Sequence, residues 1–457
     1  MKRSATVLAA FISLSATIAY SDPPEAGSSP IEQLGRTIFF DRQLSINRNQ
    51  SCAECHAPSV GWTGPDSQLN EGGAVYEGSI AGRFGNRKPP ASSYATPSPI
   101  LHTVVDNGTT VFVGGNFWDG RATGEKLGNP AADQAQGPFL NPVEQALPDS
   151  ACVVHRVCNP GQSGRYNVRF TDVWGAQSCN IDWPANIDEV CSQEDGVVEL
   201  SDADRAISDT AYDYIALSIA AFEDSAFVNR YSSKFDQYLA GKKRLTRTEI
   251  RGLELFVGKA KCDNCHVLFE GPNGEPPLLT DFTYDNIGLP KNPDNPWYTM
   301  PAEFNPDGFN WVDPGLGGFL ATRADYAAFA AENYGKHKVP TLRNVAKDRG
   351  RNFVKPFGHN GYFKSLKDIV HFYNTRDVKP TCPNPFTRAE DALAMDCWPA
   401  PEVADNLNTD EMGDLGLSEQ EENALVAFLE TLSDRSVADD KRLENGPGAR
   451  KAKKDDD

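Results

Sequence analysis

Apolar positions along the chain recur with helical rather than strand periodicity. From Ser201 to residue 240 they include Ala206, Ile207, Tyr212, Ile215, Ile219 and Phe222, which predicts a long helix capped by the Ser201 hydroxyl. Gly241 and the lysines after it mark a junction. Thr246 caps a further helix running to Phe256, and Ser418 to Leu432 forms a last one with Leu425, Phe428 and Leu432 on one face. Three stretches rich in Pro, Gly, Asn and Asp, about 146–200, 268–335 and 377–412, read as long loops. One short run is duplicated. Leu34-Gly35-Arg36-Thr37-Ile38-Phe39-Phe40 and Gly252-Leu253-Glu254-Leu255-Phe256 each precede a Cys-x-x-Cys-His, so two modules of similar plan are expected.

Length and composition leave room for that plan. The 457 residues, 39% hydrophobic and 10% aromatic, suffice for two domains with real cores. Lys2 and Arg3, the apolar run Val7 to Ala19 and the small residues Ala19 and Ser21 read as a cleaved signal peptide over 1–21. The expected units are then 22–242, 243–436 and a disordered charged tail, 437–457. A periplasmic or secreted protein with no membrane span after cleavage follows. The net charge of −19 repels nucleic acid and anionic lipid. It suits a basic or neutral protein partner or a small uncharged substrate, and equally serves solubility alone.

Ten cysteines carry the chemistry. Four lie in Cys52-Ala53-Glu54-Cys55-His56 and Cys262-Asp263-Asn264-Cys265-His266. On one helical turn both thiols face the same side, so they can form thioethers to one porphyrin edge while the next residue offers its imidazole to the iron. A zinc site would need further Cys/His pairs nearby, and a redox pair rarely carries His directly after. The remaining six are an even number, which in an exported chain reads as three disulfides. Cys382 with Cys397 is a plausible local pair. The pairing of Cys152, Cys158, Cys179 and Cys191 among themselves is open.

The ligand opposite each histidine decides between electron carrier and reaction site. Candidates are few: seven histidines and four methionines in all.

At these motifs the chain resembles the bacterial di-haem cytochrome c peroxidase and MauG superfamily over roughly residues 31–435. The resemblance is carried by Leu34 through Ser45 leading into Ser51-Cys52, by Phe117-Trp118-Asp119-Gly120-Arg121-Ala122, and by Gln134-Ala135-Gln136-Gly137-Pro138 with Asn141-Pro142-Val143-Glu144. Pro340-Thr341-Leu342-Arg343-Asn344-Val345 and His359-Asn360-Gly361 complete it. It implies a mainly α fold of two cytochrome c-like domains, each holding one covalent c-type haem, with long irregular disulfide-stapled loops. The haem on His56 is then the peroxide site and the haem on His266 the electron-transfer site. Trp118 lies between them as a bridge. Gln134 and Glu144 are distal polar residues, Glu144 moving the proton that splits the O–O bond. The competing reading of Glu144 is a capping box, with Asn141 as N-cap and Pro142 at the first helical position. That of Trp118 is a core aromatic.

Two departures from the cytochrome c peroxidases of the family point to its MauG branch. Residues 57–101 contain no histidine to close the distal side of the His56 haem, and His102 lies past the matching position. At position 373, where those peroxidases place a methionine ligand, stands Tyr373, as in MauG. The competing reading is that Leu366, Ile369, Val370 and Tyr373 form a plain apolar helix face. Met395 and Met412 lie in loop or tail-side sequence and are poor rivals. The family also binds calcium near Arg87-Lys88-Pro89-Pro90, where Lys88 replaces an asparagine. Its ammonium is expected near the Val354 and Pro356 carbonyls, which argues against calcium.

The expected function is hydrogen-peroxide-driven oxidation of a redox protein partner, at a Trp or Tyr side chain, or of another donor. The alternatives are a cytochrome c peroxidase fed by a small cytochrome or cupredoxin, and a non-catalytic di-haem carrier. Trp297, Tyr298 and Trp311 in the long loop are candidates to relay holes, or simply pin that loop.

Overall fold

The structure, a computed structural model, describes residues 27–159, 168–271, 274–350 and 352–435. The expected signal peptide 1–21 and tail 437–457 lie outside the described residues. The fold is mainly helical, with two small antiparallel sheets. The principal helices are α1 (Pro30–Phe39), α2 (the single turn Cys52–Cys55), α3 (Pro130–Leu140), α4 (Ser150–Cys158), α5 (Asp202–Asp224), α6 (Lys234–Leu239), α7 (Arg247–Phe256), α8 (Leu366–Thr375) and α9 (Glu419–Glu430). Among the described residues no helix is long and apolar enough to cross a membrane.

The duplicated run has a structural counterpart. α1 begins at Ser29 with a Ser29–Glu32 capping box, and α7 at Thr246 with a Thr246–Glu249 box. Each helix then presses a glycine against a later helix. A Cβ on Gly35 would stand 1.7 Å from the Ser218 carbonyl of α5, and one on Gly252 would stand 2.0 Å from the Ala424 carbonyl of α9. Both backbones approach closer than any side chain allows. Gly35→Ala and Gly252→Ala are each expected to destabilise by about 3 kcal/mol, read as a lower unfolding midpoint in guanidinium.

Two main cores form around these crossings. Leu34, Ile38 and Phe39 of α1 pack with Ile215, Ile219 and Phe222 of α5. Leu255 and Phe256 of α7 pack with Leu425 and Phe428 of α9 and with Leu432. Phe235 of α6 belongs to this second core, although it precedes residue 243. A further cluster joins Phe363, Phe372 and Trp398 beside the Cys382–Cys397 disulfide.

Two expectations need correction, and one element went unread. The helix expected over 201–240 starts at Ser201 as foreseen but ends at Asp224, and α6 restarts with a Ser233–Asp236 capping box. The interruption is tertiary: Val228 enters the first core, Asn229 accepts from the Tyr94 N–H, and the Tyr231 and Ser232 N–H groups bond Tyr94 and Asp434. The 146–200 stretch is not simply loop. It contains α4, whose Cys152, Val153 and Val154 are fully buried and which is held by the Cys152–Cys191 and Cys158–Cys179 disulfides. Seven of its nine residues are buried, His155 and Arg156 among them, so polarity along it does not follow a helical period. A hairpin, β1 (His102–Asp106) with β2 (Thr109–Val113), turns at Asn107-Gly108, both left-handed, a signal the periodicity reading passed over.

α8 and α9 are locked by Glu422. Its buried carboxylate bonds His371 Nδ1 (2.8 Å), Asn374 Nδ2 (2.7 Å) and Lys367 Nζ (2.7 Å). Burial pushes this carboxyl up, but the His371, Lys367 and Asn374 bonds outweigh it and hold the pKa at about 2. A depressed pKa contributes stability above the unfolded value, near 4.5, and loses it as pH falls toward 2. The pH-dependent part of the unfolding free energy is expected to be flat from pH 7 to 5 for this group and to fall below. Glu422→Ala is expected to destabilise by about 3 kcal/mol and to flatten that acid limb.

Candidate functional site

Both Cys-x-x-Cys-His motifs follow short turns that aim an imidazole inward. The first is α2, capped by Ser51 with Glu54. The second is a 3-10 turn over Cys262–Asn264. His56 Nδ1 lies 3.3 Å from the Trp62 carbonyl and His266 Nδ1 lies 2.9 Å from that of Leu279. A carbonyl only accepts, so Nδ1 carries the hydrogen in both rings and Nε2 keeps its lone pair for a metal. Burial pushes both imidazoles down to about 4, so they stay neutral. Burial also pushes the Cys52 and Cys262 thiols up to about 12. Such thiols are poor redox nucleophiles. Among the described cysteines the four motif members are the ones outside disulfides. One free imidazole nitrogen and two neutral thiols per motif suit a thioether-linked haem.

Each motif opens on a cavity. Cys262, Cys265 and His266 line the first together with Ile369, Val370 and Tyr373 of α8. Tyr373 therefore shares the cavity of His266, and Leu366, Ile369 and Val370 form the apolar face around it. Both sequence readings of this helix coexist. Burial, with the nearby Cys265 and Asp285, pushes the Tyr373 phenol up. Met412, set aside in the sequence reading as lying in loop or tail-side sequence, lines this cavity too and is 5% exposed, whereas Met395 is half exposed. That is a correction: position along a loop does not tell which side chain the fold turns inward.

His56, Gln134 of α3 and Phe117 line the second cavity. His56 is the histidine in its wall; His102 sits exposed on β1. Trp118, Lys338 and Pro340 line both cavities, which places the Trp118 ring between them. Its Nε1 donates to the Lys88 carbonyl (2.9 Å), and its own carbonyl accepts from the Lys338 N–H (2.8 Å).

Glu144 reaches the first motif from another side. Asn141-Pro142-Val143-Glu144 is a turn after α3, not a helix start, so the capping-box reading fails: Asn141 Oδ1 accepts from Val143 N–H and its carbonyl from Glu144 N–H. The turn is pinned to the segment before Cys52 through Ile46 N–H to the Gln145 carbonyl and Gln145 Nε2 to the Gln50 carbonyl. The Glu144 charge acts on the Cys55 thiol, and burial pushes the Glu144 carboxyl up against the pull of Arg121 and Asn141. Glu144 does not line the cavity that holds His56 and Gln134. A carboxyl that the sequence reading missed does: Glu223 of α5, 4% exposed and pushed up to about 8 by burial despite a bond to Ser92. Its only sequence signal is an acidic residue beside the buried stripe of α5.

Beyond Trp118 lies a buried polar cluster. The His337 and His359 rings stack at 3.5 Å, and Trp118 meets His359 edge-on at 6.4 Å. Arg87 pairs with Asp313 through two bonds and with Asp119. At the expected calcium position, Lys88 Nζ turns to the Pro89 carbonyl (3.1 Å) and Thr63 Oγ1 (3.5 Å) rather than to Val354 and Pro356, and the Val354 carbonyl accepts from Asn70 Nδ2. A second ammonium, Lys355, donates to the Val60, Asn344 and Lys347 carbonyls. Two lysine amines thus occupy these carbonyls, and burial disfavours the charge on each.

Comparison with known proteins agrees with the site. Residues 29–244 match the family described as di-haem cytochrome c peroxidase. The chain is 34% identical over 403 residues to the methylamine utilization protein MauG of Paracoccus denitrificans, covering 88% of each protein. It is 26% identical over 386 residues to the cytochrome c551 peroxidase of Nitrosomonas europaea, covering 81% of this chain and 84% of the relative. The diheme peroxidase BthA of Burkholderia thailandensis E264 superposes with a TM-score of 0.64 at 27% identity, over 89% of this chain and 86% of that one. The chain belongs to the di-haem cytochrome c peroxidase and MauG family and is a haem-dependent oxidoreductase.

Proposed function

We propose that this protein is a periplasmic oxidoreductase of the MauG branch, which uses hydrogen peroxide at an open haem on His56 to oxidise a protein partner, at a Trp or Tyr side chain, or an external donor. Cys52, Cys55 and His56 hold one haem c in an N-terminal domain over 22–242. Cys262, Cys265 and His266 would hold the other in a C-terminal domain over 243–436, with Tyr373 as the further residue that would bind its iron. One observation carries the reading: Tyr373 lines the cavity of His266, while no second histidine lines that of His56. A tyrosine ligand favours an oxidised iron, and an open site admits peroxide. Export is supported by the three disulfides.

When bound, the haems supply the iron chemistry that reduces peroxide. The overall reaction takes one H2O2, two protons and two electrons to two waters. Gln134 orients the peroxide. To Glu144, beside the first motif but outside the wall that Gln134 and Glu223 share, falls the transfer of the proton from the near to the leaving oxygen, with Glu223 as the alternative within that wall. Trp118 conducts electrons from the His266 side.

An ordinary cytochrome c peroxidase is the second reading, favoured by Met412 in the same cavity as His266. The resting, fully oxidised holoprotein separates the two. One high-spin and one low-spin EPR signal, with the absorption bands responding to peroxide without prior reduction, is the expected result. Two low-spin signals and a need for reductive activation would overturn the proposal.

A further inference from the structure

We propose that Tyr298 is a redox-active tyrosine that carries oxidising equivalents from Trp118 to the protein surface, with Glu402 as its proton acceptor. The idea rests on the peroxide-driven function above and adds the route by which a donor outside the protein is reached.

Tyr298 is buried, at 2% exposure, in the long loop after the second Cys-x-x-Cys-His. Its hydroxyl lies 3.5 Å from Glu402 Oε1 and donates to it. Glu402 Oε2 in turn lies 3.9 Å from His359 Nε2. That imidazole nitrogen is buried and has no hydrogen-bond partner of its own. His359 meets Trp118 edge-on at 6.4 Å, and Trp118 borders both haem cavities. On the other side, Tyr298 stacks on Phe309 at 5.7 Å and meets Trp311 at 6.3 Å; Trp311 meets Trp297 at 5.8 Å. Phe309 is 52% exposed. An unbroken series of rings and one carboxylate thus joins the wall between the cavities to solvent.

A buried tyrosine gives up an electron readily only where its proton has somewhere to go. Most other deeply buried tyrosines fail this test: Tyr212, Tyr284 and Tyr362 donate to backbone carbonyls, which are not bases. Tyr94 passes it, donating to Asp434 at 2.7 Å, but its ring neighbour is Tyr231 and Arg343 lies 4.9 Å over it, a cation that opposes loss of an electron. In the proposed step one electron leaves Tyr298 for the oxidised Trp118 side. Its O–H bond breaks and the proton passes to Glu402, leaving a neutral tyrosyl radical. A one-electron donor at the Phe309 and Trp311 surface returns the electron, and Glu402 returns the proton. Two such cycles consume the two oxidising equivalents of one peroxide.

The test is freeze-quench EPR of the holoprotein mixed with peroxide without donor, with haem absorption followed in parallel, on wild type, Tyr298→Phe, Glu402→Gln and Tyr94→Phe. Growth with ring-deuterated tyrosine identifies a tyrosyl signal by its collapsed hyperfine structure. The expected result is a tyrosyl signal in wild type and Tyr94→Phe that disappears in Tyr298→Phe. In Glu402→Gln it is expected to form about a hundredfold more slowly. Haem bands that respond to peroxide with an undiminished radical in Tyr298→Phe, or with the loss in Tyr94→Phe instead, overturn the relay and leave the peroxide reaction standing. Haem bands that never respond to peroxide overturn both.

Discussion

Tyr373→Phe is expected to change the low-spin EPR signal of the His266 haem and to raise its reduction potential by on the order of 0.2 V. Tyr373 stands at the cavity wall on α8, fixed by the packing of Leu366, Ile369 and Val370 around it. Its phenol is held protonated chiefly by burial. A bound ferric iron would be what draws the proton off and lets the oxygen serve as a ligand. Phenylalanine keeps the ring and the packing, so folding is expected to survive while the ligand is lost. Storage of oxidising equivalents on this haem is expected to go with it. Met412→Leu is the matched control, because Met412 faces the same cavity. If Met412→Leu shifts the spectrum and Tyr373→Phe does not, the haem is methionine-ligated and the protein is an ordinary cytochrome c peroxidase.

Glu144→Gln is expected to slow the reaction of the resting protein with peroxide by roughly 10²- to 10⁴-fold, the usual worth of a positioned acid–base group. The resting EPR spectrum is expected to stay as it is. The Glu144 pKa is raised by burial and pulled back by Arg121. As the proton acceptor Glu144 must start ionised, so the rate constant falls on acidification through a pKa above 4.5. Removing the nearby positive charge with Arg121→Gln lets that pKa rise further and moves the acid limb to higher pH. Glu223 supplies the contrast: it lines the cavity of His56, and its carboxyl is pushed up to about 8. If Glu223→Gln slows the reaction with peroxide and Glu144→Gln spares it, the acid–base role belongs to α5.

Much of the fold was legible because its signals are local. Ser201, Thr246 and Ser418 cap helices where the periodicity begins, since a hydroxyl three residues before a free N–H needs nothing distant. The Cys382–Cys397 pair spans only 15 residues and was readable for the same reason. What failed was decided over long separations. The break after Asp224 depends on Tyr94 and Asp434, each far along the chain. α4 is held in the first core by cysteines up to 39 residues away. The duplicated glycines announced two similar modules, but only the helix crossings explain why neither tolerates a Cβ.

For the site, the division is between chemistry and assembly. By itself the sequence determined the haem-type motifs and the scarcity of strong axial ligands, because each is a matter of residue type at a short spacing, while Tyr373, Gln134, Glu144 and Trp118 became candidates through the resemblance to a known family. The tertiary structure alone decided that Tyr373 and Met412 both face His266, that Trp118 borders both cavities, that Glu223 joins Gln134 where Glu144 does not, and that Tyr298, Glu402 and His359 meet. Those are contacts between segments tens to hundreds of residues apart. They follow from which faces the helices bury, and no local pattern encodes that.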